Sequence, residues 1–434
     1  MQVVILAAGR GTRMGPLTET IPKPMLPVAD RPLVAHVANA AVDAGAEELV
    51  LTVGYGGDQV REYFGEQHAG VPVHYAEQPD QLGTADALRV AVDHVDGSFA
   101  VLNGDNLCRA ADLETLFDSV PAVGAYRVDD PSSYGVLRTE DGIVTEVVEK
   151  PDDPQTNTIN AGAYAFPANV VDLLDVPRSE RGELELTDVL DRVIERDAVG
   201  VVDFEEWMDV GHPWELLEAN ERRLPTPDSG RADGGTDPTT LSRIRSNERN
   251  EFGTAVGSAA DSGADSVGAT DPPAEVHPTA TLRGDVVRES GVEVGPGVVV
   301  EGPALLRTGC SIGPNAYVRG STLVGPGARI GHAVEVKNSV VMANATIGHL
   351  SYVGDSIVGP RVNLGAGTNV ANLRHDGEPV AVTVGDRRVS TGRRKFGTVL
   401  GPDVQTGIQT GIHPGVTLSA GEHTAPGEIV SRDR

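Results

Sequence analysis

Lysine is nearly missing from this sequence of 434 residues: it occurs only at Lys23, Lys150, Lys337 and Lys395, and arginine supplies the remaining positive charge. Cysteine is scarcer still, with Cys108 and Cys310 alone. Two cysteines cannot build a disulfide framework or a zinc cluster, which fits a reducing compartment. No apolar run approaches the length that crosses a membrane. The opening Met-Gln-Val-Val-Ile-Leu-Ala-Ala-Gly has no basic segment ahead of its short apolar run, so it reads as a buried first strand and not as a signal peptide. A cytoplasmic protein is the expectation.

Acidic residues are abundant. Asp and Glu number 63 against 35 Lys and Arg, a formal net charge of −28. They are spread through every segment, so they form a solvated surface and not an acidic tail. Such a surface repels phosphate backbones and anionic lipids, which argues against nucleic-acid and membrane partners. An acidic, lysine-poor surface also suits a high-salt cytosol, where screening collapses the self-repulsion. Each surviving lysine is therefore a candidate for chemistry that arginine cannot supply.

A chain of this length exceeds one ordinary core. Residues 1–224 alternate short apolar runs (Val3–Ala8, Glu48–Val53, Val71–Tyr75, Phe99–Leu102, Ala122–Arg127) with helical patterns (Pro32–Ala44, Gly57–Phe64, Thr84–Val95). That alternation predicts an α/β, Rossmann-like, mostly parallel sheet, with ligands at the carboxyl ends of its strands. Residues 225–272 are small, polar and acidic and read as a flexible linker. From 273 to 434 a six-residue period takes over: Val294, Val300, Leu306, Ile312, Val318, Val324, Ile330 and Val336. It slips in phase, resumes at Ile347 and Val353, continues through Val358, Leu364 and Val370, and returns from Leu400 to Val430. Inward aliphatics every sixth residue with glycine turns predict a left-handed parallel β-helix of hexapeptide repeats.

The first strand runs into Leu6-Ala-Ala-Gly-Arg-Gly-Thr-Arg-Met14, followed by Pro22-Lys23-Pro24. A glycine loop after a strand offers backbone N–H groups to phosphate. Taken alone the loop is a weak signal, because Gly9 and Gly11 fit neither a Walker A loop nor the dinucleotide fingerprint. Further motifs follow in order: Glu77-Gln78, Gln81-Leu-Gly-Thr84, Leu102-Asn-Gly-Asp105, Val148-Glu-Lys-Pro151, Asn160-Ala-Gly-Ala-Tyr164 and Trp207-Met-Asp-Val-Gly211. Together they resemble the sugar-1-phosphate nucleotidylyltransferase family across the whole N-terminal half.

That resemblance implies roles. Leu6, Ala8, Gly9, Gly11, Thr12, Gln78, Gln81, Gly83 and Thr84 fall on its nucleotide-binding positions. Arg13 matches the group on the leaving pyrophosphate, and Lys23 the one beside the α-phosphate, where a compact charge suits a pentavalent centre. Asp105 and Asp209 fall on its Mg²⁺ ligands. Gly135, Glu149, Lys150 and Asn160 match its sugar-1-phosphate contacts. An isolated Asp at a strand end is more often a turn residue, and Glu149 with Lys150 is by itself a surface ion pair.

In the repeat region Gly348-His-Leu-Ser-Tyr-Val-Gly-Asp355, Asn363-Leu-Gly-Ala-Gly-Thr368 and Asn372 resemble the acetyltransferase half of the bifunctional N-acetylglucosamine-1-phosphate uridylyltransferase/glucosamine-1-phosphate acetyltransferase family, in an archaeal, halophile-like form. The resemblance implies that His349 is the general base toward the sugar amine. It places Arg319, Lys337, Tyr352, Asn363 and Asn372 on the sugar phosphate, with Lys395 entering from a neighbouring subunit. Ala366 and Arg432 match acetyl-CoA contacts. All four lysines thus fall on anion-binding positions. Two departures stand out: Glu378–Arg394 is longer than in the bacterial enzymes, and Ile408 replaces a small hydroxyl residue.

The implied activity is bifunctional, with acetyl-CoA and UTP (or dTTP) as co-substrates, Mg²⁺ as cofactor and a homotrimer formed through the β-helix. The alternative is a monofunctional glucose-1-phosphate uridylyl- or thymidylyltransferase whose β-helix serves oligomerisation or regulation. A catalytically dead nucleotide-sugar sensor would lack Arg13, Lys23, Asp105 or Asp209, and all four are present. Sequence alone leaves the preferred sugar and pyrimidine open.

Overall fold

The computed structural model describes residues 1–179, 182–224 and 273–434. The segment expected to be a linker, 225–272, lies outside the described residues.

The N-terminal half is built on a ten-stranded sheet. Its centre is parallel: Phe99–Asn103, Gln2–Leu6, Glu48–Val53 and Val71–Glu77 pair in that order. Val3, Val4 and Ile5 are fully buried, as a strand covered on both faces requires. Thr158–Phe166 then enters antiparallel between Phe99–Asn103 and Ala122–Arg127, and the sheet beyond it is mixed. Helices α1 (Leu33–Asp43), α2 (Gly57–Phe64), α3 (Thr84–Arg89), α4 (Ala110–Phe117), α5 (Leu186–Ile194) and α6 (Pro213–Arg223) accompany it. The expected helix Thr84–Val95 is shorter than its pattern: α3 stops at Arg89 and a 3₁₀ turn, Val92–His94, follows. Val90, Val92 and Val95 stiffen χ1 and weaken the helix there.

The C-terminal half is a parallel β-helix of three stacked faces with six, eight and seven strands. The first face runs from Glu275–Val276 to Asn363–Leu364, the second from Thr281–Arg283 to Ile429–Val430, and the third from Val286–Arg288 to Val416–Leu418. The eight aliphatics from Val294 to Val336 are 0–3 % exposed and form one inner column. The phase slips have a structural cause. Val336 to Val341 and Val353 to Val358 are five-residue steps, each one residue short at the turn from the second face to the third. Asn338 and Asp355 occupy those tightened turns with φ of 47° and 50°, a region that Asn and Asp enter more readily than most residues.

The extra segment Glu378–Arg394 folds as an antiparallel hairpin, Ala381–Val384 with Arg387–Ser390. Val380 and Val382 at its base are 1 % exposed. They belong to an apolar cluster that joins the two halves: Met14, Leu17 and Trp214 on one side, Leu323, Val340, Ile357 and Val399 on the third face of the β-helix. Contact is close enough that a Cβ on Gly401 would lie 2.7 Å from Cβ of Pro16. The turn carrying Arg13, Thr12–Glu19, is therefore packed directly against the β-helix.

Candidate functional sites

A cleft of about 390 Å³ opens at the carboxyl ends of the parallel strands. Leu6, Ala8, Gly9, Arg13, Lys23, Gln78, Gln81, Gly83, Thr84, Asp105, Gly135, Glu149, Lys150, Asn160 and Asp209 all line it. Gly11 and Thr12 do not. Gly11 acts indirectly: with φ of 67°, a Cβ there would fall 2.5 Å from Cβ of Lys23, so its bare backbone lets the lysine stem pass. Lys23, only 7 % exposed, pairs with Asp105. Burial pushes the Asp105 carboxyl up, but the charges of Lys23 and Arg13 outweigh it and hold the group below the usual carboxylate range. Asp209 goes the other way. Burial, with Asp105 and Glu215 nearby, raises it to about 6.

Gln78 is buried and its amide donates to Gly83 O (3.0 Å) and Asp86 Oδ2 (2.9 Å). It therefore shapes the Gly83 turn. Gln81 ties that turn to the glycine loop through Ala8 O at 3.2 Å. At the other end, Lys150 lies 3.4 Å from Glu149. A Cβ on Gly135 would meet Glu149 Oε2 at 3.0 Å and Thr187 Cγ2 at 3.3 Å, so Gly135 keeps open the space on which those side chains and Asn160 converge. Thr187 and Glu185, with Asn103 and Tyr134, also line the cleft, and sequence reasoning missed them. Asn103 was inside a quoted motif, whereas Glu185 and Thr187 reach the cleft only through the fold.

The β-helix gathers a second cluster on its second face. Arg319, Lys337 and Gly354 stack in register, one per coil. Arg319 is engaged by Glu335 at 2.7 Å, and Lys337 by Asp355 at 2.7 Å. Asn372 Nδ2 donates to Asp355 Oδ2 (2.5 Å) and to the Tyr352 hydroxyl (3.1 Å). A Cβ on Gly354 would lie 2.4 Å from that hydroxyl, so this glycine makes the convergence possible.

The remaining residues stand apart. Asn363 is on the first face. His349 occupies the corner between first and second faces, where its Nδ1 accepts the amide N–H of His332 at 3.1 Å. Ala366 stacks beneath it and Ile408, 56 % exposed, beneath that. Arg432 is exposed. Lys395, expected from a neighbouring subunit, is set by its own backbone in a bridge to Leu373, next to Asn372.

The Nucleotidyl transferase family matches residues 2–225, and the GMPPB C-terminal domain matches residues 300–420. "Bifunctional protein GlmU" of Methanocaldococcus jannaschii is 36% identical over 436 residues, covering 100% of this chain and 95% of its own. The chain belongs to the bifunctional GlmU family of nucleotidyl transferases. A family relative in Sulfurisphaera tokodaii, named "Bifunctional sugar-1-phosphate nucleotidylyltransferase/acetyltransferase", is 32% identical over 100% of this chain and 98% of its own. "UTP--glucose-1-phosphate uridylyltransferase AglF" of Haloferax volcanii is 37% identical over 51% of this chain and 96% of its own. This GlmU-family chain is thus a sugar-1-phosphate nucleotidylyltransferase.

No group of three or more His, Cys, Asp or Glu suited to a metal occurs among the described residues. Two carboxylates suffice for Mg²⁺, which keeps waters and substrate phosphate as its other ligands. Asp105 and Asp209 would fit: both line the cleft, and the Asp209 carboxyl, raised mainly by burial, also feels the charge of Asp105. No described helix is long and apolar enough to cross a membrane.

Proposed function

We propose that this chain makes UDP-N-acetylglucosamine in two reactions. In the β-helix half, the amine of glucosamine-1-phosphate attacks the acetyl carbonyl of acetyl-CoA, loses a proton to His349, and releases CoA. In the N-terminal half, a phosphate oxygen of N-acetylglucosamine-1-phosphate attacks the α-phosphorus of UTP and pyrophosphate leaves. What carries this reading is the full-length match to bifunctional relatives together with two separate cation-bearing clusters, one in each half.

Phosphoryl chemistry of this kind asks the protein for positioning and positive charge more than for proton transfer. Lys23, fixed by Asp105, supplies charge at the α-phosphate, and Arg13 at the departing pyrophosphate. Asp105 and Asp209 would hold Mg²⁺, which neutralises phosphate charge when bound. Glu149, Lys150, Asn160 and Gly135 receive the sugar phosphate, while the loop Leu6–Thr12, Gln78, Gln81, Gly83 and Thr84 receive the nucleotide. In the other half Arg319, Lys337, Tyr352, Asn363, Asn372 and Lys395 receive the amino-sugar phosphate, and Ala366 and Arg432 the acetyl-CoA.

We further propose a homotrimer formed through the β-helix. One chain distributes its acetyl-site residues over two faces and the corner between them, and a second β-helix against that corner closes them into one cleft. We divide the chain into 1–224, 225–272 and 273–434 and place it in a salt-rich cytoplasm, in keeping with its charge and its two unpaired cysteines.

A matrix of nucleoside triphosphates, sugar phosphates and acetyl-CoA, run with Mg²⁺ at molar salt, tests both halves. Pyrophosphate release from UTP with N-acetylglucosamine-1-phosphate and CoA release with glucosamine-1-phosphate are expected. Pyrophosphate release with no CoA release from any amino-sugar phosphate returns the protein to the monofunctional reading.

A further inference from the structure

From the geometry we infer that Asp355 is a positioning residue of the acetyl site, presetting Lys337 and Asn372 for the amino-sugar phosphate, and that Glu221 of the N-terminal half holds the far end of the same network. This rests on the acetyltransferase reading above.

Asp355 is 3 % exposed, and its left-handed backbone turns the carboxylate back over the coils stacked on either side. Oδ2 accepts from Lys337 Nζ at 2.7 Å and from Asn372 Nδ2 at 2.5 Å. Oδ1 accepts from Asn338 Nδ2 at 2.9 Å. One carboxylate thus fixes a side chain from the coil before it and another from the strand end after it, and Asn372 in turn reaches Tyr352. A side chain loses rotamer freedom when it is ordered, and a long one such as Lys loses most. With Lys337 and Asn372 already ordered, substrate binding need not bear that cost again.

The network does not stop at the β-helix. Asn338 Nδ2 also donates to Glu221 Oε1 at 2.6 Å, and Arg393 Nη1 donates to Glu221 Oε2 at 3.0 Å. Glu221 lies on α6. Arg393 leaves the inserted hairpin. Docking of the two halves therefore reaches Lys337 by a continuous path through Glu221, Asn338 and Asp355.

Steady-state kinetics of the full chain tests the assignment. In Asp355→Asn, which keeps shape and tolerates the turn, KM for glucosamine-1-phosphate is expected to rise about tenfold, the loss of roughly one charged hydrogen bond. The kcat of acetyl transfer, KM for acetyl-CoA and uridylyl transfer should stay within about twofold of wild type. Asn338→Gly keeps the turn and cuts the path to Glu221; a smaller rise in the same KM is expected, and Glu221→Ala, which removes the acceptor, should match it. An unchanged KM in Asp355→Asn overturns the proposal. So does a fall in kcat and melting temperature with no selective change in that KM, since this marks a purely structural role. Wild type that releases no CoA refutes instead the acetyltransferase reading on which the proposal stands.

Discussion

The ammonium of Lys337 lies 2.7 Å from the carboxylate of Asp355, and Lys23 makes the same kind of contact with Asp105 in the other half of the chain. Lys150 adds a third case, 3.4 Å from Glu149. Three of the chain's four lysines thus face a carboxylate, two beside the N-terminal cleft and one in the second-face cluster of the β-helix. An ammonium on a slender stem can be held by one carboxylate and still present charge to a ligand; a guanidinium fork needs more room.

Lys23→Arg tests that distinction. The Lys23 ammonium is only slightly exposed and is held by Asp105, and the planar fork of Arg is bulkier than that ammonium at the end of the same stem. Uridylyl transfer, followed as pyrophosphate release, is expected to fall about 100-fold, the scale of one electrostatic group in the transition state. CoA release serves as the internal control and should not change. Arg activity within about threefold of Lys would show that charge alone matters at this position.

The apolar seam between the halves makes a stability prediction. Leu323 is 1 % exposed on the third face of the β-helix and belongs to the cluster that includes Leu17 and Trp214. Leu323→Ala should cost about 2–4 kcal/mol, transfer plus cavity, seen as a lower denaturant midpoint. Because the Thr12–Glu19 turn packs on the same seam, pyrophosphate release should weaken as well. Full activity at an unchanged midpoint would mean that the seam contributes little.

Periodicity made both architectures legible. Eight aliphatics in one phase could be placed in a column before any coordinates, and Gln2–Leu6 lies within one residue of the expected strand start. Most motif residues of the N-terminal half meet in one cleft because the sheet gathers their loops at one edge, while Gly11 and Thr12 fall outside it. What was not legible depends on contacts between coils or halves. The phase slips looked like irregularity, but they create the two left-handed turns that orient Asn338 and Asp355. The long insert looked like a departure, yet its hairpin docks on the Arg13 turn. Glu185 and Thr187 carried no readable signal, because only the approach of α5 brings them to the cleft.

Buried histidines predict an acid limb in stability. His68, 8 % exposed and bonded to Asn39 at 2.6 Å, is lowered by burial to about 4, as is His36. The unfolded chain binds these protons below about 6.5 and the folded chain only below about 4. Stability therefore falls as pH drops through that window. Asp191, raised by burial to about 6, opposes part of the fall, so the informative comparison is between variants. His68→Gln should flatten the decline in denaturation midpoint between pH 6.5 and 4. An equally steep decline would place the protons elsewhere.

The last prediction concerns His349, the general base of the proposed acetyl transfer. Its Nδ1 accepts the His332 amide, so in the neutral ring the lone pair faces the backbone and Nε2 carries the proton. The proposed role needs a lone pair toward the amine, and so it requires the His332 contact to be given up. His349 is exposed at its corner, so the ring has room to turn, and the bond it leaves is worth only about 1 kcal/mol. His349→Ala should lower CoA release by about 10²–10⁴, with pyrophosphate release reporting on the intact N-terminal half. CoA release within about threefold of wild type would remove His349 from the reaction.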